Sequence, residues 1–223
     1  MISNLHRTKD IPTQIKNPEL VARRRGQIAD AAVRLFITNG FDKTTTRQIA
    51  KAARLSIGSL YEYFATKEDV LYLVLDSIYI EIEQALSTAR SKGATEKTAL
   101  AELIRHYFTA CHRRSDYMLL LYQETHVLPR EWRKRVLKSE NNVISIIEKT
   151  LSEIFGSIDP ALRKSSRSKI LAHDIGVMAH MWTFRRWALA RECSIEEYIE
   201  IQTDIILTYI EELERRTKPS PAE

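Results

Sequence analysis

Ser56, Ile57, Ser59, Tyr61 and Tyr63 offer hydroxyl and apolar groups from one short stretch, with no acidic residue on the same predicted face. Such a surface suits entry into a DNA major groove, where base edges present acceptors, donors and thymine methyls. Chemistry of other kinds is scarce. His173 and His180 stand seven apart and share a helix face, with His126 and Glu124 as conceivable further metal ligands. None of the recognised ligand spacings occurs, so no metal is expected. There is no Gly-rich phosphate loop, nucleophile elbow or usefully spaced Cys/His pair, so no catalytic residue and no cofactor are assigned, and an enzyme is the poorer reading. Cys111 and Cys193 lie among apolar residues in helical patterns and are expected as buried free thiols in a reducing compartment.

The elements that must position this face lie in Thr44 to Glu68, TTTRQIAKAARLSIGSLYEYFATKE. Thr45 followed by Gln48 is a capping box, which starts a helix at Thr46 running through Ile49, Ala50 and Ala53. Ala53-Arg54-Leu55 reads as a turn. Ser56 is a second N-cap, and Leu60 and Phe64 recur at helical spacing on a second short helix. Small residues at Ala50, Ala53 and Gly58 are expected to let the two helices approach. The pattern is a helix-turn-helix.

These residues resemble the DNA-binding domain of the TetR family of bacterial transcriptional regulators. The resemblance covers Ile28 to about Leu71. It rests on the run IADAAVRLFITNGFDKTT, on the I-A-x-x-A of Ile49, Ala50 and Ala53, on the G-x-L-Y-x-Y-F of Gly58 to Phe64, and on Lys67-Glu68. Arg54 stands where the family usually has Gly. The resemblance implies base reading by Arg47, Ser56, Ile57, Ser59 and Tyr63, and backbone contacts by Thr46, Tyr61 and Lys67, with Thr45 and Gly58 in the same interface. It further implies a homodimer on a near-palindromic double-stranded operator, and an effector whose entry shifts the fourth helix and respaces the two recognition helices. The runs Leu121 to Glu124 and Met181 to Trp187, with Ser56 to Phe64, are similar to family repressors of lipid or steroid catabolism that sense acyl-CoA thioesters.

Composition agrees with a helical regulator. Of 223 residues 44% are hydrophobic, enough for a real core, and six Gly and six Pro leave little room for a many-turned sheet. The expected class is all-α, with an N-terminal helix-turn-helix domain and a C-terminal helical effector and dimerisation domain. Residues 1–70 carry 12 Lys/Arg against 7 Asp/Glu, whereas the remainder carries 22 of each, so the whole excess of +5 lies in the part expected to meet DNA. No stretch approaches eighteen consecutive apolar residues and the first residues have no apolar leader, so a soluble, cytoplasmic protein without membrane contact is expected.

Four segments follow: a mobile arm over 1–17, the helix-turn-helix domain over 18–66, the effector and dimerisation domain over 67–217, and a frayed tail over 218–223. Asn17-Pro18-Glu19 starts the first helix and Asn39-Gly40 ends it. Arg23, Arg24 and Arg25 sit near its start, with at least one expected on a phosphate. Thr66 caps a long fourth helix ending near Gly93, which is the natural mechanical link between the domains. Thr95, Asp116 and Pro129 open three more, the last stopped by Gly156. Asp159-Pro160 and the Ser194-Ile195-Glu196-Glu197 box open the final two, whose many large apolar residues suit a four-helix dimer seam. Tyr107, Phe108, Met118, Tyr122, Met178, Met181, Trp182 and Phe184 are candidates for an adaptable apolar cavity. Gln123 stands among the polar groups beside it, and Arg185 and Arg186 are the candidates to hold an anionic head, an acyl-CoA among the possible effectors.

Overall fold

The computed structural model describes residues 11–88 and 95–217, and all regular structure there is helical. Nine α-helices occur among the described residues: α1 (Pro18–Asn39), α2 (Thr46–Ala52), α3 (Ile57–Tyr61), α4 (Lys67–Thr88), α5 (Glu96–Arg113), α6 (Ser115–Glu124), α7 (Arg130–Ile158), α8 (Ser166–Leu189) and α9 (Ile195–Thr217). Single 3-10 turns occupy Thr125–Val127 and Pro160–Lys164. The all-α class read from the sequence is the class observed.

The caps are where local chemistry put them. Asn17 accepts from the amides of Glu19 and Leu20, with Pro18 at the first helical position of α1, and Gly40 leaves the helix at φ 82°. A positive φ suits a residue without Cβ. Two starts and stops differ from expectation. Asp159-Pro160 opens only the 3-10 turn, because the Asp159 carboxylate caps Ala161 at 2.8 Å and the chain breaks again before α8 begins at Ser166. Gly156 does not stop α7, which runs on to Ile158.

The chain divides into two compact units, one formed by Met1–Ile80 with Arg114–Ser139, the other by Glu81–Arg113 with Glu140–Glu223. This corrects the expected boundary at 66/67: α6 and the start of α7 join the N-terminal unit, and both α4 and α7 contribute residues to each. The first unit is built on Ile28, Phe36, Ile49, Leu60, Phe64, Leu71 and Val74, all at most 2% exposed, with α1 packed against α2 and α6 and α2 against α3. The second packs α5 against α8 and α9, around Leu100, Ile104, Phe108, Ile147, Phe155, Ile175 and Ile210. Gly176 is required there, since a Cβ would come within 2.7 Å of Ile144 Cδ1.

The expected arm also needs correction over residues 11–16. Ile11 is buried, its carbonyl accepts from Arg25 at 2.7 Å, and the Thr13 hydroxyl donates to the Glu62 carbonyl at 2.8 Å. Burial of one large apolar side chain and two hydrogen bonds outweigh the polar composition that had read as free chain. Residues 1–10, the Gly93 end of the fourth helix and the tail over 218–223 lie outside the described residues.

Candidate nucleic-acid interface and effector region

Within the first unit, α2 and α3 are joined by the turn at Ala53 to Leu55. The capping box is complete: the Gln48 amide donates to Thr45 Oγ1 at 3.2 Å and the Thr45 amide donates to Gln48 Oε1 at 2.8 Å. Ser56 Oγ accepts from the Ser59 amide at 3.0 Å and starts α3. Ala50 and Ala53 are buried at the helix crossing. Gly58 is not part of it, because a Cβ there would meet only Ser56 Oγ at 3.9 Å. Arg54 takes the left-handed conformation at φ 56°, which costs it roughly 1 kcal/mol more than glycine.

Thr45, Arg47, Ser56, Ile57, Gly58 and Tyr61 are exposed, and Thr46 and Ser59 half-buried. The hydroxyls of Thr46 and Tyr61 lie 3.1 Å apart, a cross-helix hydrogen bond that brings the two backbone-contact candidates together. Lys51 and Arg54 add two exposed cations that flank the turn.

Three expected contacts are corrected. Tyr63 is 4% exposed, because it falls two residues past the end of α3 where the chain turns back into the core, so its ring is not offered with the others. Lys67 is half-buried: its ammonium donates to the carbonyls of Phe41 at 2.7 Å and Asp42 at 3.3 Å and lies 4.1 Å from the Phe41 ring centroid. It anchors the loop before α2. Arg25 is 1% exposed and donates to the carbonyls of Ile11 and Tyr63, with its guanidinium over Phe64. Burial lowers its pKa, while Asp69 acts in the opposite sense. Of the three arginines on α1, Arg24 bonds Gln27 at 2.9 Å and Arg23 alone is fully exposed. Gln27, which the sequence did not single out, closes the turn from outside by donating to the Ala53 carbonyl at 2.6 Å.

The ten residues expected around an effector fall in both units. Met118, Tyr122 and Gln123 belong to the first unit, where Met118 is buried and the other two are exposed. In the second unit Tyr107, Phe108 and Trp182 are core. The Trp182 ring lies 5.2 Å from that of Tyr198 and 6.0 Å from that of His112, and Phe108 is 6.2 Å from Tyr198. Tyr198 donates to the Met178 carbonyl at 2.7 Å, and burial with Cys193 nearby pushes its phenol up to about 12. Met178 is half-buried; Met181, Arg185 and Arg186 are exposed, with the Arg185 guanidinium 4.9 Å from the Trp187 ring centroid. Burial lowers the pKa of His112, and Arg186 and Arg113 act in the same sense against Glu196. The indole nitrogen of Trp182 is buried in this cluster without a hydrogen bond. A cleft of about 380 Å³ lies elsewhere in the unit, between α4, α5 and α7, with Glu83, Glu96 and Glu153 against Lys149. Its carboxylates have the wrong sign for an anionic head.

Cys111 is buried as expected and its thiol is pushed up by burial, whereas Cys193 is half-buried. His173 is exposed but His180 is buried, 3.0 Å from the Tyr107 hydroxyl. Burial lowers its pKa to about 4. Unfolded, it titrates near 6.5 and binds the proton first, so stability is full above that value and falls as the pH drops through the window to about 4. The loss amounts to about 3 kcal/mol, and comparing denaturant midpoints of the protein and of His180→Gln between pH 7 and 4.5 isolates it. A pH dependence equal in both would show that His180 accepts a proton without unfolding.

Comparison with known proteins places this geometry. A family model described as bacterial regulatory proteins, tetR family, matches residues 28–72, which hold α2, the turn and α3. The helix-turn-helix is thus similar to the DNA-binding domain of the TetR family. The chain is 28% identical to the HTH-type transcriptional regulator HbdR of Aromatoleum sp. (strain CIB) over 193 residues, 86% of this chain and 82% of the relative. It is 26% identical to the fatty acid metabolism regulator protein of Bacillus subtilis (strain 168), over 57% of this chain and 66% of that one. Its fold matches that of AibR, solved in complex with isovaleryl coenzyme A and operator DNA, with a TM-score of 0.66 and 18% identity over 82% of this chain and 97% of the other. A DNA-binding transcriptional regulator is thus the class to which the helix-turn-helix belongs, and no helix among the described residues is long and apolar enough to cross a membrane.

Proposed function

We propose that this protein is a homodimeric repressor that reads a near-palindromic operator with the α2–α3 face and leaves it when an amphipathic effector binds the second unit. The reading is carried by the surface around the Thr46–Tyr61 hydrogen bond, where Arg47, Ser56, Ile57, Gly58 and Tyr61 are exposed together. Arg47 suits guanine O6 and N7, Ile57 a thymine methyl, and Gly58 leaves room for a groove wall to come close. Replacing Arg47 with Ala should cost roughly 1 to 3 kcal/mol at one base pair of each half-site and relax the preference there. An equal loss on every sequence would make Arg47 a phosphate contact only.

The dimer seam is supported by an uncovered apolar face on the last two helices. Ile170, Val177, Met181 and Trp187 on α8 and Ile201, Ile205 and Tyr209 on α9 are each at least 37% exposed. Such a face on a folded unit calls for a partner, and a second copy supplies the same face by two-fold symmetry.

The effector is an acyl-CoA or a similar amphipathic anion. Its support lies in the Trp182 indole N–H, a buried donor without an acceptor. Leaving such a group unpaired costs about 1 to 3 kcal/mol, which an effector oxygen would offset on entering the cluster of Trp182, His112, Phe108 and Tyr198. Arg186 is then the cation for the anionic head, while Arg185 stays over Trp187. The AibR complex holds an acyl-CoA, isovaleryl coenzyme A, and the B. subtilis relative is named for fatty acid metabolism. A long-chain acyl-CoA should free operator DNA at micromolar concentration where the matching alcohol does not; release by the alcohol as well would remove charge from the recognition.

A further inference from the structure

We infer that Trp132 is a positioning residue for DNA recognition, acting through Asp69 on the segment that follows α3; this rests on the reading of α2 and α3 as the DNA-contacting face. The segment Glu62–Thr66 is held by side chains at four of its backbone groups. Thr13 donates to the Glu62 carbonyl and Arg25 to the Tyr63 carbonyl. The Asp69 carboxylate takes the rest, its Oδ2 accepting from the amides of Ala65 at 3.1 Å and Thr66 at 2.9 Å. Thr66 Oγ1 returns the cap by accepting from the Asp69 amide at 3.1 Å.

Asp69 is itself buried, and a buried carboxylate needs donors on both oxygens. Its Oδ1 receives one from the indole N–H of Trp132 at 3.1 Å. Trp132 in turn cannot swing, because its ring stacks on Tyr72 at 4.1 Å and 12°, with the Arg135 guanidinium 5.1 Å from its centroid. Tyr72 is on α4, three residues past Asp69, so one helix turn presents both the acceptor and the stacking surface. All of these contacts lie within the first unit. Pro129 opens α7 just before Trp132, and α7 continues to Ile158, so the residue that steadies the end of the recognition helix belongs to a helix the sequence assigns to neither DNA reading nor its immediate neighbours.

The test uses Trp132→Phe, which keeps a ring to stack on Tyr72 and deletes the donor. Affinity for a duplex that the wild-type protein selects from a random pool should fall about tenfold, and affinity for poly(dI-dC) should change less than about twofold. In the DNA-free protein the amides of Ala65 and Thr66 should exchange faster than in the wild type, while the helical circular dichroism stays the same. Tyr72→Leu, which leaves the N–H but removes the stack that holds it, should lower the preference and the protection in the same direction and by less. Unchanged affinity with unchanged exchange in Trp132→Phe would overturn the assignment, and so would an equal loss on both duplexes. Should the wild-type protein select no duplex, the DNA-reading proposal fails and the role of Trp132 in recognition fails with it, whereas exchange at 65 and 66 still reports separately whether the hold exists.

Discussion

Val177→Asp combined with Ile205→Asp should turn the protein into a folded monomer with at least a hundredfold weaker operator binding. Val177 is 61% and Ile205 52% exposed in the protomer, so neither carboxylate disturbs the core of its own unit. In a symmetric dimer each substitution occurs twice. Every copy forfeits the burial of two aliphatic side chains, about 1.5 to 3 kcal/mol each, and adds two unpaired carboxylates to an apolar seam. The sum exceeds the stability of any ordinary subunit contact built on two helices per side. Sedimentation at micromolar concentration checks the mass, and titration of the selected duplex checks binding. A variant that still sediments as a dimer would place the subunit contact on another surface.

Arg25→Met should lower stability by roughly 2 to 4 kcal/mol and leave the salt dependence of non-specific DNA binding as it was. The methionine fills much of the same volume, but the carbonyls of Ile11 and Tyr63 lose a charged donor in a site that water does not reach. A phosphate contact behaves in the opposite way, changing the salt slope by about one without a comparable loss of stability. Urea midpoints and the slope of affinity against salt separate the two. A flattened slope with an unchanged midpoint would put the guanidinium on DNA and return Arg25 to the contact surface.

Arg25 also shows where sequence reading stops. Its position on α1 was legible, since Asn17-Pro18 and Asn39-Gly40 mark the helix ends by purely local chemistry. The capping box at Thr45 and the N-cap at Ser56 marked α2 and α3 in the same way. Which of three consecutive arginines turns inward is decided by distant groups, the carbonyls of Ile11 and Tyr63, that no periodicity reports. Lys67 and Tyr63 were misplaced for the same reason: a lysine in a first helical turn looks free until the Phe41 carbonyl is seen beneath it, and Tyr63 leaves the helical frame two residues after Tyr61.

The last two helices pose a different difficulty. Along α8, Ala172, Ile175, Ala179 and Trp182 point to the core while Ile170, Val177, Met181 and Trp187 point away, so apolar residues run around the whole helix. A helix of that kind has no polar face to orient it, and the pattern cannot separate core from seam or cavity. The expected lining therefore mixed core residues such as Tyr107 with outward ones such as Arg185. Trp182 keeps a chemical signature of an absent partner, and that signature lies in a hydrogen bond not made, which a sequence does not display.

The most direct measurement is selection of DNA by the wild-type protein from a random double-stranded pool, followed by footprinting and stoichiometry on the enriched sequence. The account predicts an inverted repeat protected over two successive major-groove faces about one helical turn or a small multiple apart, with an even number of subunits bound. It also predicts that the preference at one base pair of each half-site disappears with Arg47→Ala. A pool that shows no enrichment, or an enriched site without dyad symmetry bound by a single subunit, would contradict it.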